Sequence, residues 1–261
     1  MRWMGFNVAT CHVRGQIIKI GVSSETELYR ANTYSTKEPE TLDWLENNLR
    51  SGDVFFDIGA NIGGYSLFAA KKVPSCTVYA FEPAFLNFSR LCNNIAMNKL
   101  ANVTPCSLPL CDIEGFQYLI LSSAEAGAAF NHLDESVTPS LSACQDRGLG
   151  FGTMRQGLLT TTLDALVDRH GLPFPALIKI DVDGGERKIL DGAANVLKSG
   201  SLRSVLIELS AATEAELSQT IERIKDFGFC LTKISDWTDC REGIASRNYI
   251  FNKPRVLAST V

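Results

Sequence analysis

The residues Asp57-Ile58-Gly59-Ala60-Asn61-Ile62-Gly63-Gly64 stand where the apolar run Val54-Phe55-Phe56 gives way to a helical pattern. Glycine at a strand-to-helix turn permits a tight reversal and lets a ligand reach backbone N–H groups at the positively polarised helix start. In an α/β sheet the same turn opens on the crevice at the carboxyl ends of the strands. Glu82, in Tyr79-Ala80-Phe81-Glu82-Pro83, follows the glycines by about 20 residues, the separation at which a strand-end carboxylate accepts both hydroxyls of a ribose. Loop and carboxylate together favour a nucleoside ligand, with Asp57, Gly59, Ala60, Asn61, Gly63, Glu82 and Pro83 as the residues around it.

A nicotinamide dinucleotide and S-adenosylmethionine both satisfy those two features, so the loop composition decides between them. A pyrophosphate calls for G-x-G-x-x-G, whose second glycine lets the backbone approach the phosphates. Asn61 stands at that position here. A side-chain amide beside the Asp57 carboxylate suits a zwitterionic amino acid, whose ammonium needs an acceptor and whose carboxylate needs donors. That points to S-adenosylmethionine. The phosphate loop G-x-x-x-x-G-K-[ST] of nucleotide hydrolases is missing.

Three further residues are candidates for the chemistry. Asp181 ends the apolar run that starts at Ala176, and Lys179 shares its face by the period-two rule. Three roles are open to Asp181: contact with the sulfonium-bearing part of the cofactor, general base, or cation ligand with Asp183 or Glu208. The cofactor or structural role is preferred and no metal is expected. Glu208 ends Leu206-Ile207-Glu208-Leu209, where it either orients substrate or caps the next helix. His132, in Phe130-Asn131-His132-Leu133, is the natural base, because an imidazole titrating near neutrality can take a hydroxyl proton late in methyl transfer. Its alternative is a surface histidine with no task.

The elements that must hold these residues follow from periodicity. Val8 to Ile20 alternates around Arg14-Gly15 as a hairpin, and a helix starts at Pro39 with Leu42, Leu45 and Leu49 on one face. Residues 1–50 therefore form a hairpin-and-helix extension packed on a main domain spanning 51–261. From residue 53 short apolar runs alternate with amphipathic helices, the β-α-β-α rhythm of a doubly wound α/β fold with a mostly parallel sheet. The stretch 122–157 breaks the rhythm and reads as an insertion, a substrate loop or a decorative one.

The series Gly52-Asp53-Val54-Phe55-Phe56-Asp57-Ile58-Gly59-Ala60-Asn61-Ile62-Gly63, then Phe81-Glu82-Pro83, Thr162-Leu163-Asp164-Ala165-Leu166, Ile178-Lys179-Ile180-Asp181-Val182-Asp183-Gly184-Gly185-Glu186 and Leu190-Asp191-Gly192-Ala193 resembles the FkbM-family methyltransferases. Lys37-Glu38-Pro39-Glu40-Thr41 fits as well, so the resemblance covers roughly residues 30 to 251. It implies a class I, Rossmann-like methyltransferase fold with a seven-stranded sheet whose last strand is antiparallel. It also implies methyl transfer, usually to a hydroxyl of a sugar or secondary metabolite. By the same resemblance Asp112, in Cys111-Asp112-Ile113-Glu114-Gly115, matches the acidic position that accepts from the adenine amino group. Two departures stand out: Asp181-Val182-Asp183-Gly184-Gly185-Glu186 replaces the usual Asp-Val-Glu-Gly-x-Glu, and the 122–157 insertion is long.

Composition narrows the partners. The chain has 261 residues, 45% of them hydrophobic and 21% charged, which excludes collagenous and disordered classes. A net charge of −4 disfavours nucleic acid, and the family resemblance implies a small-molecule or saccharide acceptor. No signal-peptide pattern and no 18-residue apolar run occurs, so a cytoplasmic protein without a membrane span is expected. The eight cysteines contain no C-x-x-C pair and read as free thiols of a reducing compartment. Two other readings stay open beside the methyltransferase: a NAD-dependent oxidoreductase, and a nucleoside-binding protein without catalysis.

Overall fold

A computed structural model describes residues 2–3, 6–134, 154–210, 213–236, 238–241 and 244–254. The chain opens with an antiparallel sheet of β1 (Arg2–Trp3), β2 (Phe6–Val13) and β3 (Gln16–Val22). Arg14 and Gly15 both take positive φ, the backbone of the two-residue hairpin turn whose twist matches its strands. Helix α1 (Glu25–Thr33) follows, opened by a capping box between Ser24 and Glu27. Pro39 stands in the first turn of α2 (Pro39–Asn48), where a missing N–H costs nothing.

The central sheet starts with β4 (Val54–Ile58), β5 (Thr77–Phe81) and β6 (Val103–Cys106), crossed over by α3 (Gly64–Lys72) and α4 (Phe85–Asn98). A small antiparallel sheet of β7 (Gly115–Leu121), β8 (His132–Asp134) and β9 (Met154–Thr160) interrupts it. The central sheet then resumes with β10 (Leu177–Ile180), β11 (Ser204–Ser210), β12 (Cys230–Ile234), β13 (Thr238–Arg241) and β14 (Ile244–Asn252). Its order is β12-β14-β11-β10-β4-β5-β6, with β13 paired to β14 beside that line. The strands from β11 to β6 run parallel, and β14 is antiparallel to both β11 and β12. The mostly parallel seven-strand sheet is thus the expected one, with β13 as an added strand.

Strand order reverses between β4 and β10, because the chain proceeds outward from β4 on one side and from β10 on the other. The crevice at such a switch point is where open α/β sheets bind ligands. Successive residues of each strand face opposite layers. Phe55 joins a core with Trp44, Leu67, Phe68 and the hairpin residues Ile18 and Ile20. Phe56 joins a second core with Ile178, Ile207, Leu190 and Ile224. The extension is bonded to the site loop through Asn94 of α4, which accepts from the Gly21 N–H (2.8 Å) and donates to the Ile62 carbonyl (2.8 Å).

One expectation needs correction. The 122–157 stretch is not a bare loop, since β8 and the start of β9 pair with β7 inside it; residues 135–153 lie outside the described residues. The stretch after β10 forms two short helices, Glu186–Asp191 and Ala194–Lys198. They part at Gly192, where a Cβ would lie 2.2 Å from the Cys111 carbonyl oxygen. Among the described residues no helix is long and apolar enough to cross a membrane.

Candidate active site

The loop out of β4 reverses through Gly59 (φ +80°), Asn61 (φ +50°) and Gly63 (φ +93°), all in the left-handed region. The N–H groups of Gly59 and Ala60 both donate to the Phe81 carbonyl at 2.9 Å, which ties the loop to the end of β5. Glu82 lies just beyond. Its carboxylate accepts from the backbone N–H of Asn61 (2.8 Å) and of Ala84 (2.9 Å). Those two bonds leave lone pairs to spare on a carboxylate that has about four acceptor positions. Burial pushes the Glu82 carboxyl up to about 7, against the lowering effect of those donors.

A cavity opens beside this loop. Gly59, Asn61, Glu82, Pro83 and Asn87 form one wall, Leu108 to Cys111 with Leu119 and Leu133 an apolar slot, and Asp181 to Gly185 the far side. His132 lines it from the start of β8. A strap from the insertion runs along its edge. The Ala128 carbonyl accepts from Asn61 Nδ2 (3.0 Å) and Asn87 Nδ2 (3.1 Å), and the Gly127 N–H donates to Asn87 Oδ1 (2.7 Å). Arg30 of α1 donates to the Gly127 carbonyl (2.7 Å), and Asp183 accepts from the Phe130 N–H.

At the end of β10, Lys179 Nζ pairs with Asp181 Oδ2 at 2.5 Å; the lysine is buried and the aspartate side chain is 27% exposed. Burial alone would raise Asp181, but the Lys179 charge and hydrogen bonds from Glu208 and Lys179 hold it well below the usual carboxylate range. Glu208 moves the opposite way, raised by burial and by the Asp181 charge, so the proton shared by this pair resides on Glu208. Ser246 Oγ donates to Glu208 Oε1 at 2.9 Å.

The structure thus brings Gly59, Asn61, Glu82, Pro83, His132 and Asp181 to one cavity, with Glu208 bonded behind Asp181. Besides Glu208, four sequence candidates fall outside its lining. Asp57 is fully buried behind the loop, where Oδ2 accepts from Ser66 Oγ (2.5 Å), Oδ1 has no partner, and the Lys179 charge opposes the rise that burial imposes on its carboxyl. Ala60 and Gly63 shape the turn, and a Cβ on Gly63 would lie 2.5 Å from Leu91 Cδ1. Asp112 is exposed and accepts from Cys111 Sγ (3.0 Å) instead of facing inward. Sequence reasoning missed Asn87 and the Leu108–Cys111 slot, which line the cavity beside the strap and Leu119 of β7. Among the described residues no group of three or more His, Cys, Asp or Glu is placed to hold a metal. Cys11, Cys76, Cys92, Cys106, Cys111 and Cys230 are free thiols; Cys144 and the side chain of Cys240 lie outside the described residues.

Residues 57–238, which include the glycine turn, Glu82 and Asp181, match the family model described as the methyltransferase FkbM domain. The chain belongs to the FkbM methyltransferase family. It is 28% identical to the 31-O-demethyl-FK506 methyltransferase FkbM of Streptomyces tacrolimicus over 72% of this chain and 76% of that one. It is 26% identical to the hexuronic acid methyltransferase AglP of Haloferax volcanii, over 81% of this chain and 82% of that one. Among solved structures, the methyltransferase FkbM of Methylobacillus flagellatus superposes with a TM-score of 0.50 at 15% identity, covering 88% of this chain and 56% of that one. That likeness supports the class I methyltransferase fold of this FkbM-family chain.

Proposed function

We propose that this methyltransferase binds S-adenosylmethionine in the cavity between Gly59, Glu82 and Asp181 and methylates a hydroxyl oxygen of a saccharide or secondary metabolite. The observation that carries the reading is the Gly59 cradle: a Cβ there would lie 1.8 Å from the Asp181 carbonyl oxygen, so backbone alone fits, beside a buried carboxylate at ribose distance in sequence. The apolar slot of Leu108, Pro109, Leu110, Leu119 and Leu133 suits a flat base, which takes over the part that resemblance gave to Asp112. The bound sulfonium supplies an already activated methyl group.

The chain's own residues then have few tasks. Glu82 accepts the ribose hydroxyls, Asn61 and Asn87 hold the strap over the cavity, and Asp181 presents a carboxylate kept ionised by Lys179. His132, half-buried on the cavity wall, receives the proton of the acceptor hydroxyl. Glu208 keeps Asp181 in place through their shared proton. The O-methyl assignment leans on the relatives whose names give a demethylated macrolide oxygen and a hexuronic acid as substrates. The net charge of −4 supports a small acceptor over nucleic acid. Calorimetric titration with S-adenosylmethionine, S-adenosylhomocysteine and NAD tests the cofactor, with binding of the first two and not the third expected. A panel of sugar and polyketide acceptors then tests the oxygen, read as methyl ethers by mass spectrometry.

A further inference from the structure

The N-terminal extension does more than pack on the main domain. Lys37 and Glu38, which lead into α2, pair at 2.9 Å, and Glu38 Oε2 accepts from the hydroxyl of Tyr65 in α3 at 2.7 Å. The Lys179 ammonium lies over the Tyr65 ring, 4.9 Å from its centre, and pairs with Asp181, which is hydrogen-bonded to Glu208. These six side chains form one row along the strand ends. Asp181 lines the cavity and the other five do not, so the row begins where the cavity ends. In the cofactor reading Lys37, Glu38 and Tyr65 have no task.

The ions of the row are matched. Lys37 answers Glu38 and Lys179 answers Asp181, while burial and the Asp181 charge raise the Glu208 carboxyl to about 9, so that it keeps its proton. Hydrogen-bonding capacity is what the row has to spare. An ammonium has three donors and a carboxylate about four acceptor positions, more than these pairs use. The Lys37 side chain is 32% exposed and that of Asp181 27%, so both reach solvent, and their charges act on one another. A donor and an acceptor side by side suit hydroxyl groups, which both accept and donate. An apolar frame laid over them would strip water from two ion pairs and return none of its bonds, which is costly.

We propose that Lys37 and Asp181 bind the acceptor as a polyol, a saccharide ring with neighbouring hydroxyls, and that Glu38 and Tyr65 are the positioning residues behind them. The inference rests on the cofactor reading above and adds the acceptor side of the same site. The reacting hydroxyl is not one of those held by the row. Its oxygen bonds the methyl carbon, its proton passes to His132, and the electron pair of the broken bond stays on sulfur. The hydroxyls beside it lie against Lys37 and Asp181. A single hydroxyl on an apolar ring leaves both without a partner.

The test uses the intact chain with S-adenosylmethionine. Methyl α-glucopyranoside and methyl α-galactopyranoside are compared with cyclohexanol, a six-membered ring bearing one hydroxyl, and methyl ethers are read by mass spectrometry. At least one glycoside is expected to react with a kcat/KM about a hundredfold or more above that of cyclohexanol. Glu38 is buried, so Glu38→Gln is measured beside Lys37→Ala and Tyr65→Phe, at positions that reach the surface. Each is expected to raise the glycoside KM by about tenfold, with kcat changing far less and the Kd for S-adenosylhomocysteine staying within about twofold. Lys37→Arg, which keeps charge and donors, is expected to retain the parent's KM. Cyclohexanol reacting as well as the glycosides overturns the inference alone. So does a KM that none of the three substitutions moves, or no reaction with either glycoside in a chain that binds S-adenosylhomocysteine. Failure to bind S-adenosylmethionine and S-adenosylhomocysteine removes the cofactor reading together with it.

Discussion

The carbonyl oxygen of Asp181 occupies the space that a side chain on Gly59 would need, 1.8 Å from its Cβ position. The contact follows from the sheet, because β4 and β10 are parallel neighbours and the Asp181 N–H donates to the Ile58 carbonyl at 3.0 Å. The loop leaving β4 therefore passes directly against the end of β10. Gly59→Ala meets backbone, which cannot rotate away, and a left-handed φ. The two together are expected to cost about 2–4 kcal/mol in urea denaturation and to bring cofactor affinity below detection. A variant as stable as the parent with intact binding would show that the strand ends are free to separate.

Glu82 links a binding prediction to a pH prediction. Glu82→Ala should weaken S-adenosylhomocysteine binding by about 1.5–3 kcal/mol, the range for losing charge-assisted hydrogen bonds. Burial raises its carboxyl from 4.5 to about 7 in the folded chain. Between those values the folded state binds more protons than the unfolded one, so this group makes the ligand-free protein less stable as pH rises from 4.5 to 7. Urea midpoints at pH 5 and 7.5 should show that loss, and Glu82→Gln should flatten it. An equal slope in both proteins would place its source elsewhere.

Much of this site was legible because its signals are local. The Gly59 to Gly63 turn, Glu82 and the end of β10 at Asp181 each lie within a few residues of the apolar run that positions them. Helix α1 went unread although Ser24 and Glu27 spell its capping box, since it buries only Glu27 and Ala31 and so lacks an apolar stripe. The β7–β9 sheet was hidden for another reason. Phe116 pairs with Leu159 and Ile120 with Arg155, partners far apart in sequence, and β8 has three residues. Asp112 is exposed, and Gly192 lies against the Cys111 carbonyl just before it, a contact no spacing rule contains.

Asn87 gives a kinetic prediction. Its amide is bonded at both ends to the strap, accepting from Gly127 and donating to Ala128. Asn87→Ala removes both bonds, each worth about 0.5–1.5 kcal/mol net. Dissociation of S-adenosylhomocysteine should speed up by about tenfold in stopped-flow fluorescence, with a smaller change in association. An unchanged dissociation rate would mean that the strap does not control exit.

His132 separates chemistry from binding. It starts β8, with Ile120 of β7 as its register partner, and reaches the cavity from the insertion. The residues proposed to face the cofactor, Gly59, Asn61 and Glu82, are carried instead by the ends of β4 and β5, and of these Asn61 bonds the insertion through the Ala128 carbonyl. His132→Ala should therefore lower kcat by about 10²- to 10⁴-fold, the usual span for a general base, while the Kd for S-adenosylmethionine stays within about twofold. Comparing single-turnover rates with calorimetric affinities separates the two quantities. A kcat equal to the parent's would leave His132 as a wall residue. Attention would then shift to Asp181 and Glu208, the remaining carboxyl groups at the strand ends.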